Sequence, residues 1–165
     1  MNKLLLIALS LSAILSFSSC SDDDEYRIAT ELNFETEIGI DYDGYFETTI
    51  RVTESYIADF RPGREDLLDI ETLSSWLKVS HIPNLGRAKF HLIANNNIHY
   101  YSTTIAPDYY GESLIDDRDF QYFMIDAIDI IRKKGYVDIT IIGESNNGNP
   151  LLFTFYNQVD ILIRR

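Results

Sequence analysis

The chain has 165 residues, of which 26 are acidic and 14 are basic, and its formal net charge is −12 at neutral pH. An acidic chain is a poor partner for nucleic acid and for anionic lipid head groups, both of which attract clusters of Lys and Arg. Neutral partners such as glycans, and other proteins, remain compatible with this charge. Cys20 is the only cysteine, which excludes an intramolecular disulfide.

Residues 1–19 have the pattern of a secretory signal peptide. A single charge at Lys3 precedes an apolar run over residues 4–17 that only serines interrupt, and Ser18-Ser19-Cys20 closes the run. A charged start, a short apolar segment and small residues before the cut are typical of such peptides. The apolar run is shorter than the roughly 20 residues that a membrane-spanning helix needs.

The lone cysteine after this run resembles the lipobox of bacterial lipoproteins, although Phe17 occupies the position where the common lipobox has Leu. The resemblance implies that the thiol carries diacylglycerol, that the chain is cut before Cys20, and that the new amino group takes a fatty acid such as palmitate. Two or more acyl chains give a stable membrane anchor, whereas one gives only marginal binding. We therefore expect the membrane to be a partner of this protein through Cys20.

Four acidic residues, Asp22-Asp23-Asp24-Glu25, follow the cysteine almost directly. Adjacent like charges repel one another and stay solvated, so residues 20–25 are predicted to form a lipidated tether. The stretch also resembles the acidic export tag of surface lipoproteins from Bacteroidota-type bacteria. That resemblance implies an outer-membrane protein that faces the cell exterior, with a single globular domain over residues 26–165.

The domain begins with two segments that alternate between apolar and polar residues. Residues 28–40 and 46–52 each place apolar side chains and Thr on one face, the pattern of half-buried strands. We predict a hairpin with Gly44 left-handed, in which Ile40 pairs with Phe46.

The connection between these two segments, Asp41-Tyr42-Asp43-Gly44, also resembles the start of a calcium loop. A full loop needs further oxygen ligands, and Val52 stands where the bidentate Glu belongs. We interpret the segment as a turn and predict no metal site there.

Residues 56–86 give a weaker pattern. Leu67, Ile70, Leu73 and Leu77 have helical spacing, and Asp66 and Asp69 are possible N-caps. We predict a short helix over residues 65–77, with Trp76 packed beneath it.

A second hairpin is predicted for residues 88–94 and 98–102, joined by Asn95-Asn96-Asn97. Pairing Ala94 with Ile98 places Tyr101 on the outer face and puts His91 and His99 together on one face. A zinc site needs three or four converging ligands, and the position of His81 is not fixed by any pattern. We therefore predict no metal site and no cofactor.

The C-terminal part combines one helix with two strands. Helical spacing over residues 118–134, a cap at Asp117 and the ending Lys133-Lys134-Gly135 predict an α-helix. Residues 136–142 and 151–163 are predicted strands, with a bulge at Asn157-Gln158. Together these elements predict a mainly β, antiparallel sandwich-like domain of six or more strands with one or two inserted helices. A two-layer α+β sheet is the alternative.

The candidate functional residues are aromatic. Tyr109 and Tyr110 fall in a polar loop over residues 107–112, and exposed rings of this kind stack on sugar faces. Tyr101 is included because of its predicted outer face. Packing of the rings against the protein itself is the alternative.

Three classes of function remain open. The first is a non-catalytic binding or accessory module for glycan or protein, and the second is a structural component of the envelope or of a surface assembly. The third is a hydrolase that uses two of the carboxylates of Asp116, Asp117 and Asp119, although these residues also suit the start of the predicted helix. No catalytic motif occurs in the sequence.

Overall fold

The computed structural model describes residues 24–83, 86–94, 99–146 and 148–165. The signal peptide and Cys20 therefore lie outside the described residues. The strands are β1 (Glu25–Glu31), β2 (Phe34–Ile38), β3 (Tyr45–Thr53), β4 (Asp66–Ser80), β5 (Ala88–Ala94), β6 (His99–Ile105), β7 (Ser113–Ile115), β8 (Tyr136–Ser145) and β9 (Leu151–Arg164). The helices are a 3₁₀ helix (Glu54–Tyr56) and α1 (Arg118–Lys134).

The strands form two antiparallel sheets whose apolar faces pack together. The first sheet has the order β1-β9-β4-β7, with β2 also paired to β9, and the second has the order β3-β8-β5-β6. The rings of Phe46 and Phe90 in the second sheet lie 6.1 Å and 5.1 Å from the ring of Phe153 in the first. The predicted mainly β sandwich with an inserted helix is confirmed.

The alternation in residues 28–40 is confirmed, but the predicted hairpin is wrong. Leu32, Phe34 and Ile38 are buried, yet β1 and β2 pair with β9 while β3 pairs with β8. The connection between β2 and β3 crosses from one sheet to the other, with Gly44 in the left-handed region as predicted (φ 88°). A strand with one apolar face can bury that face whether its hydrogen-bonded neighbour is the next strand in the chain or a distant one. The alternation therefore did not specify the pairing.

The predicted helix over residues 65–77 is wrong, because this segment lies in β4. β4 contains two bulges, at Leu68 and Leu73, where one extra residue stands between paired neighbours. Each bulge shifts the two-residue alternation by one position. The buried residues Ile70 and Leu77 are therefore seven positions apart, which is also the spacing of two residues on one face of a helix.

The predicted bulge in the last strand is also wrong. β9 keeps one continuous register with β1 and β2, and the irregularity opposite Gln158 belongs to β4. Between β1 and β2, side-chain amides replace part of the backbone ladder. The Asn157 side chain donates to the Leu32 carbonyl (2.7 Å), and the Asn33 side chain accepts from the Asn157 N–H (3.0 Å). The two asparagines thereby satisfy polar groups in a largely buried place.

The predicted register of the β5–β6 pair is wrong by one residue. Ala94 pairs with His99 and Leu92 with Tyr101. A slip of one residue moves every side chain to the other face, so Tyr101 points into the core and Tyr100 points outward. The predicted turn at residues 95–97 lies outside the described residues.

The helix α1 is confirmed with both of its caps. The Asp117 carboxylate accepts the N–H of Phe120 (2.9 Å), and Gly135 ends the helix in the left-handed region. The ring of Phe120 lies 5.5 Å from that of Tyr101 in the second sheet and 6.3 Å from that of Phe155 in the first. The apolar face of α1 thus contacts both sheets. Within the described residues, no helix has the length and apolar character needed to cross a membrane.

Candidate functional site

The loop over residues 107–112, called the tyrosine loop below, has a conformation fixed by its own hydrogen bonds. The Asp108 carboxylate accepts the N–H groups of Tyr110 (2.8 Å) and Glu112 (2.9 Å). The Asp108 N–H donates to the Glu112 carbonyl at 2.7 Å, and the Gly111 N–H donates to the Asp108 carbonyl at 3.2 Å. Such a carboxylate-centred turn orders a short loop without any contribution from the core.

The tyrosine loop is also attached to the segment that follows β4. The Ile82 N–H donates to the Gly111 carbonyl at 3.0 Å. Gly111 has φ 77°, and a Cβ at this position would lie 2.7 Å from the Ile82 carbonyl oxygen. Glycine is therefore required here both for the positive φ and for the close approach of the two backbones.

The two tyrosine rings of this loop point into solvent. Tyr109 is 90% exposed and Tyr110 is 82% exposed. The ring centroids are 5.4 Å apart and the ring planes meet at 87°, an edge-to-face pair. Rings this exposed add almost nothing to the buried apolar area, so the fold does not require them.

A depression of about 460 Å³, called the loop depression below, lies beside Tyr110. Its volume falls within the range of ligand pockets, which is roughly 300–1,000 Å³. The residues that line it include Tyr110, Lys78, Ser80, His81, Glu112 and Leu152. They come from the tyrosine loop, from β4 and the segment after it, and from the start of β9, so three separate parts of the chain build the depression.

The polar groups of the loop depression are partly paired and partly exposed. One oxygen of Glu112 lies 3.5 Å from the Lys78 ammonium and accepts the Ser80 hydroxyl at 3.3 Å. The side chains of Lys78 and Glu112 remain 34% and 42% exposed. Their opposite charges offset each other, and their remaining hydrogen-bonding capacity faces solvent.

His81 has an unusual backbone conformation at the edge of the loop depression. Among the described residues, it is the one non-glycine residue with positive φ (70°). A left-handed conformation costs a non-glycine residue on the order of 1–2 kcal/mol, and such strain concentrates at functional sites. The strain therefore adds to the reasons for regarding this region as a site.

The structure separates Tyr101 from the tyrosine loop, and its predicted outer-face position is wrong. Tyr101 is only 4% exposed, and its hydroxyl donates to Asp117 at 2.7 Å. Burial, together with this hydrogen bond, raises the pKa of Tyr101. The ring packs on Phe120 and belongs to the contact between β6 and α1.

Of the three carboxylates proposed for a hydrolase, Asp117 has a structural role. One oxygen of Asp117 accepts from Phe120 and the other from Tyr101, so both hold the start of α1 in place. Asp116 and Asp119 are exposed on either side of it.

The histidines of β5 and β6 lie on opposite faces, contrary to the prediction. His91 stacks on Tyr100 on the outward face, with ring centroids 5.2 Å apart. His99 lies 2.8 Å from Asp126 of α1. Across the described part of the chain, no three or more His, Cys, Asp or Glu side chains are grouped as metal ligands would be.

A second and larger depression, of about 580 Å³, lies on the outward face of the second sheet. Its polar groups are largely paired with one another. Arg51 donates twice to Asp138, at 2.8 Å each, and lies over the ring of Tyr136 at 4.4 Å. Hydrogen bonds from Arg51 hold the pKa of the Asp138 carboxyl below its ordinary value, and Thr49 and Thr140 bond to each other at 2.9 Å. These pairings stabilise the sheet surface and leave few free groups for a ligand.

Sequence reasoning identified the tyrosine loop but missed the rest of the loop depression. The predicted helix ended at residue 77, so Lys78 and Ser80 were not recognised as the end of a long strand. No pattern in the sequence relates Lys78, Ser80, His81 or Leu152 to the tyrosine loop. The alternation of apolar Leu77 and Val79 with polar Lys78 and Ser80 was the signal in the sequence that indicated a strand.

Comparison with known proteins adds little to this description. No protein-family model matches the chain, and no curated protein matches it. Among solved structures, the chain is similar to a chain of Desmodium yellow mottle tymovirus, with 5% identity and a TM-score of 0.39 over 84% of each chain. It is also similar to a chain in the cryo-EM structure of Mud crab tombus-like virus, with 10% identity and a TM-score of 0.43 over 87% of this chain and 82% of that one. Neither likeness bears on what this chain binds.

Proposed function

We propose that the protein is a lipid-anchored cell-surface module that binds glycans without catalysis, and that the tyrosine loop and the loop depression form its binding site. The observation that carries the proposal is the pair of tyrosine rings, 90% and 82% exposed, on a loop ordered by hydrogen bonds to Asp108 and to Ile82. An ordered loop that presents rings to solvent loses little entropy on binding, and this favours recognition.

The chemistry of the site suits a neutral sugar. Aromatic rings stack on the apolar face of a pyranose, while Lys78 and Glu112 offer donors and acceptors to its hydroxyl groups. Their opposite charges offset each other, which leaves the carboxylate of Asp108 in the tyrosine loop. This carboxylate and the net charge of −12 on the chain both disfavour an anionic ligand. A glycan with few charges therefore fits better than a nucleic acid.

A glycan array probed with the full-length protein tests the proposal. We expect retention on one class of neutral glycan and weak dependence on salt, because charge contributes little to such contacts. The proposal would be contradicted if the array retained the protein on none of its glycans. It would also be contradicted if the protein bound only anionic glycans and this binding was lost when salt was added.

The lipid anchor is a separate part of the proposal and has its own test. We expect a clickable fatty acid to label the wild-type protein but not a Cys20→Ala variant, because the resemblance to a lipobox makes Cys20 the acylated residue. Equal labelling of both proteins would contradict it. Proteolysis of intact cells then reports whether the domain faces the exterior.

A structural role in a surface assembly is a second candidate, and the edge of the second sheet favours it. β3 has nine residues and one hydrogen-bonded neighbour among the described strands, β8. A long edge strand offers unpaired backbone groups to a strand of another chain. Size-exclusion chromatography of the purified protein tests this role, which predicts assembly through β3 and its loss when Pro replaces Thr49.

A further inference from the structure

We infer that the binding site continues from the loop depression along the outer face of the first sheet to a stacked pair formed by Trp76 and Tyr156. The outer face is the face turned away from the second sheet. This inference rests on the proposed glycan binding and makes it more specific, because it assigns the site to a linear glycan of several sugar units rather than to a terminal sugar.

The strand register makes the two regions continuous. Across the β4–β9 pair, Ser80 faces Leu152, Lys78 faces Thr154, and Trp76 faces Tyr156. Side chains two residues apart share one face of a sheet, so these three pairs follow one another along the outer face. Ser80 and Thr154 are themselves buried, and the surface between the two regions is therefore formed by Lys78 and Leu152. From Ser80 to Trp76 the strand rises about 13 Å, which is longer than one sugar ring.

Trp76 and Tyr156 stand on the opposite side of the sheet from the core. Their chain neighbours Leu77 and Phe155 are fully buried in the sandwich, whereas Trp76 and Tyr156 are only partly buried. The two rings lie 5.4 Å apart and are nearly parallel, at 13°. Part of the two rings is therefore open to solvent at a fixed place on the sheet.

Polar and apolar groups alternate around this pair. Ser74 donates to Gln158 at 3.0 Å beyond the pair, on the side away from the loop depression. Lys78 lines the side of the loop depression nearest the pair, and Leu114 of β7, which is 63% exposed, is paired with it. A linear glycan presents both apolar ring faces and hydroxyl groups, and this surface offers partners to both.

The mixed character of the surface favours a glycan over a protein partner. Protein interfaces have a continuous, desolvated core of apolar residues. Here the charged side chain of Lys78 interrupts the apolar surface between the ring pair and Leu152. A protein partner would be indicated if the purified protein bound no sugar chain of any length.

The test measures affinity as a function of sugar-chain length. Titration calorimetry of the full-length protein is carried out with gluco-, manno-, xylo- and chitooligosaccharides, each from the single sugar to the hexasaccharide. In the series that binds, we expect affinity to keep rising beyond the disaccharide. We expect Trp76→Ala to lower the affinity for the longer chains about tenfold and to leave the affinity for the single sugar and the disaccharide unchanged. Trp76→Phe, which retains a ring, should restore most of that gain.

The outcomes separate this inference from the proposed function. Affinity that stops rising at the disaccharide, or a rise that survives in Trp76→Ala, would overturn the extended site while leaving glycan binding in place. Absence of binding in all series would contradict glycan binding itself. Should Trp76→Ala fail to fold, Tyr156→Ala takes its place, because Tyr156 supplies the other ring of the pair.

Discussion

Tyr101 and Tyr109 are the same residue type a short distance apart in the chain, yet their neighbours give them opposite roles. Tyr101 packs on Phe120 and donates to Asp117, whereas Tyr109 contacts chiefly the ring of Tyr110 and faces solvent. The sequence predicted the exposed pair correctly because the loop over residues 107–112 is polar and contains Gly111. It misplaced Tyr101 because the face of a strand residue depends on a register that the loop length decides.

The buried phenol of Tyr101 predicts a specific dependence of stability on pH. Its pKa is raised in the folded protein, whereas in the unfolded chain it ionises near its ordinary pKa of about 10. The contribution to stability is therefore complete below pH ~10 and is lost as the pH rises toward the folded-state pKa. Urea unfolding at several pH values checks this, and the wild type should lose stability more steeply above pH ~10 than Tyr101→Phe. The same pH dependence in both proteins would contradict the burial of this phenol.

The Asp117 carboxylate accepts two hydrogen bonds, from the Phe120 N–H and from the Tyr101 hydroxyl. Its exposed neighbour Asp116 provides a matched control. We expect Asp117→Ala to lower the free energy of unfolding by about 1–2 kcal/mol, because the N-cap of α1 is lost. Asp117→Asn should recover most of this, since an Asn oxygen also caps a helix. Asp116→Ala should change stability by about 0.5 kcal/mol or less. Chemical denaturation gives all three values, and equal effects at 116 and 117 would argue against the cap.

At the scale of elements, local sequence signals decide how well an element is predicted. α1 was predicted with both ends because its cap residues and its apolar spacing agree. β4 was not, because Leu68 and Leu73 each add a residue without any turn former to mark it. Bulges of this kind are set by the twist that the sheet requires and by the neighbouring strand β9, neither of which is local.

A pair of leucine substitutions tests the strand assignment of β4. A helix over residues 65–77 would place Leu73 and Leu77 on the same face, with similar burial. In the strand, Leu77 is fully buried and Leu73 is 55% exposed. We expect Leu77→Ala to destabilise the protein by about 2–5 kcal/mol and Leu73→Ala by about 0.5 kcal/mol or less. Similar losses at both positions in urea denaturation would favour the helix.

At the scale of the whole molecule, the sandwich class follows from alternation and turn signals, but the pairing of strands does not. β9 lies between β4 on one side and β1 and β2 on the other, although long stretches of chain separate these strands. This arrangement brings the start of β9, the end of β4 and the tyrosine loop together around the loop depression. The site thus depends on long-range contacts that no short stretch of sequence encodes, whereas its exposed rings were visible locally.

The measurement that tests the central claim most directly compares glycan binding and thermal melting in the Tyr109→Ala/Tyr110→Ala variant. The glycan is the one that the array identifies for the wild type. Tyr42→Ala is the control, because Tyr42 is fully exposed on a different loop. We expect the double variant to lose binding while its melting temperature stays near that of the wild type, because substitutions at exposed positions change stability by about 0.5 kcal/mol or less. Tyr42→Ala should leave both properties unchanged. Binding that survives in the double variant, or a large fall in its melting temperature, would contradict the account.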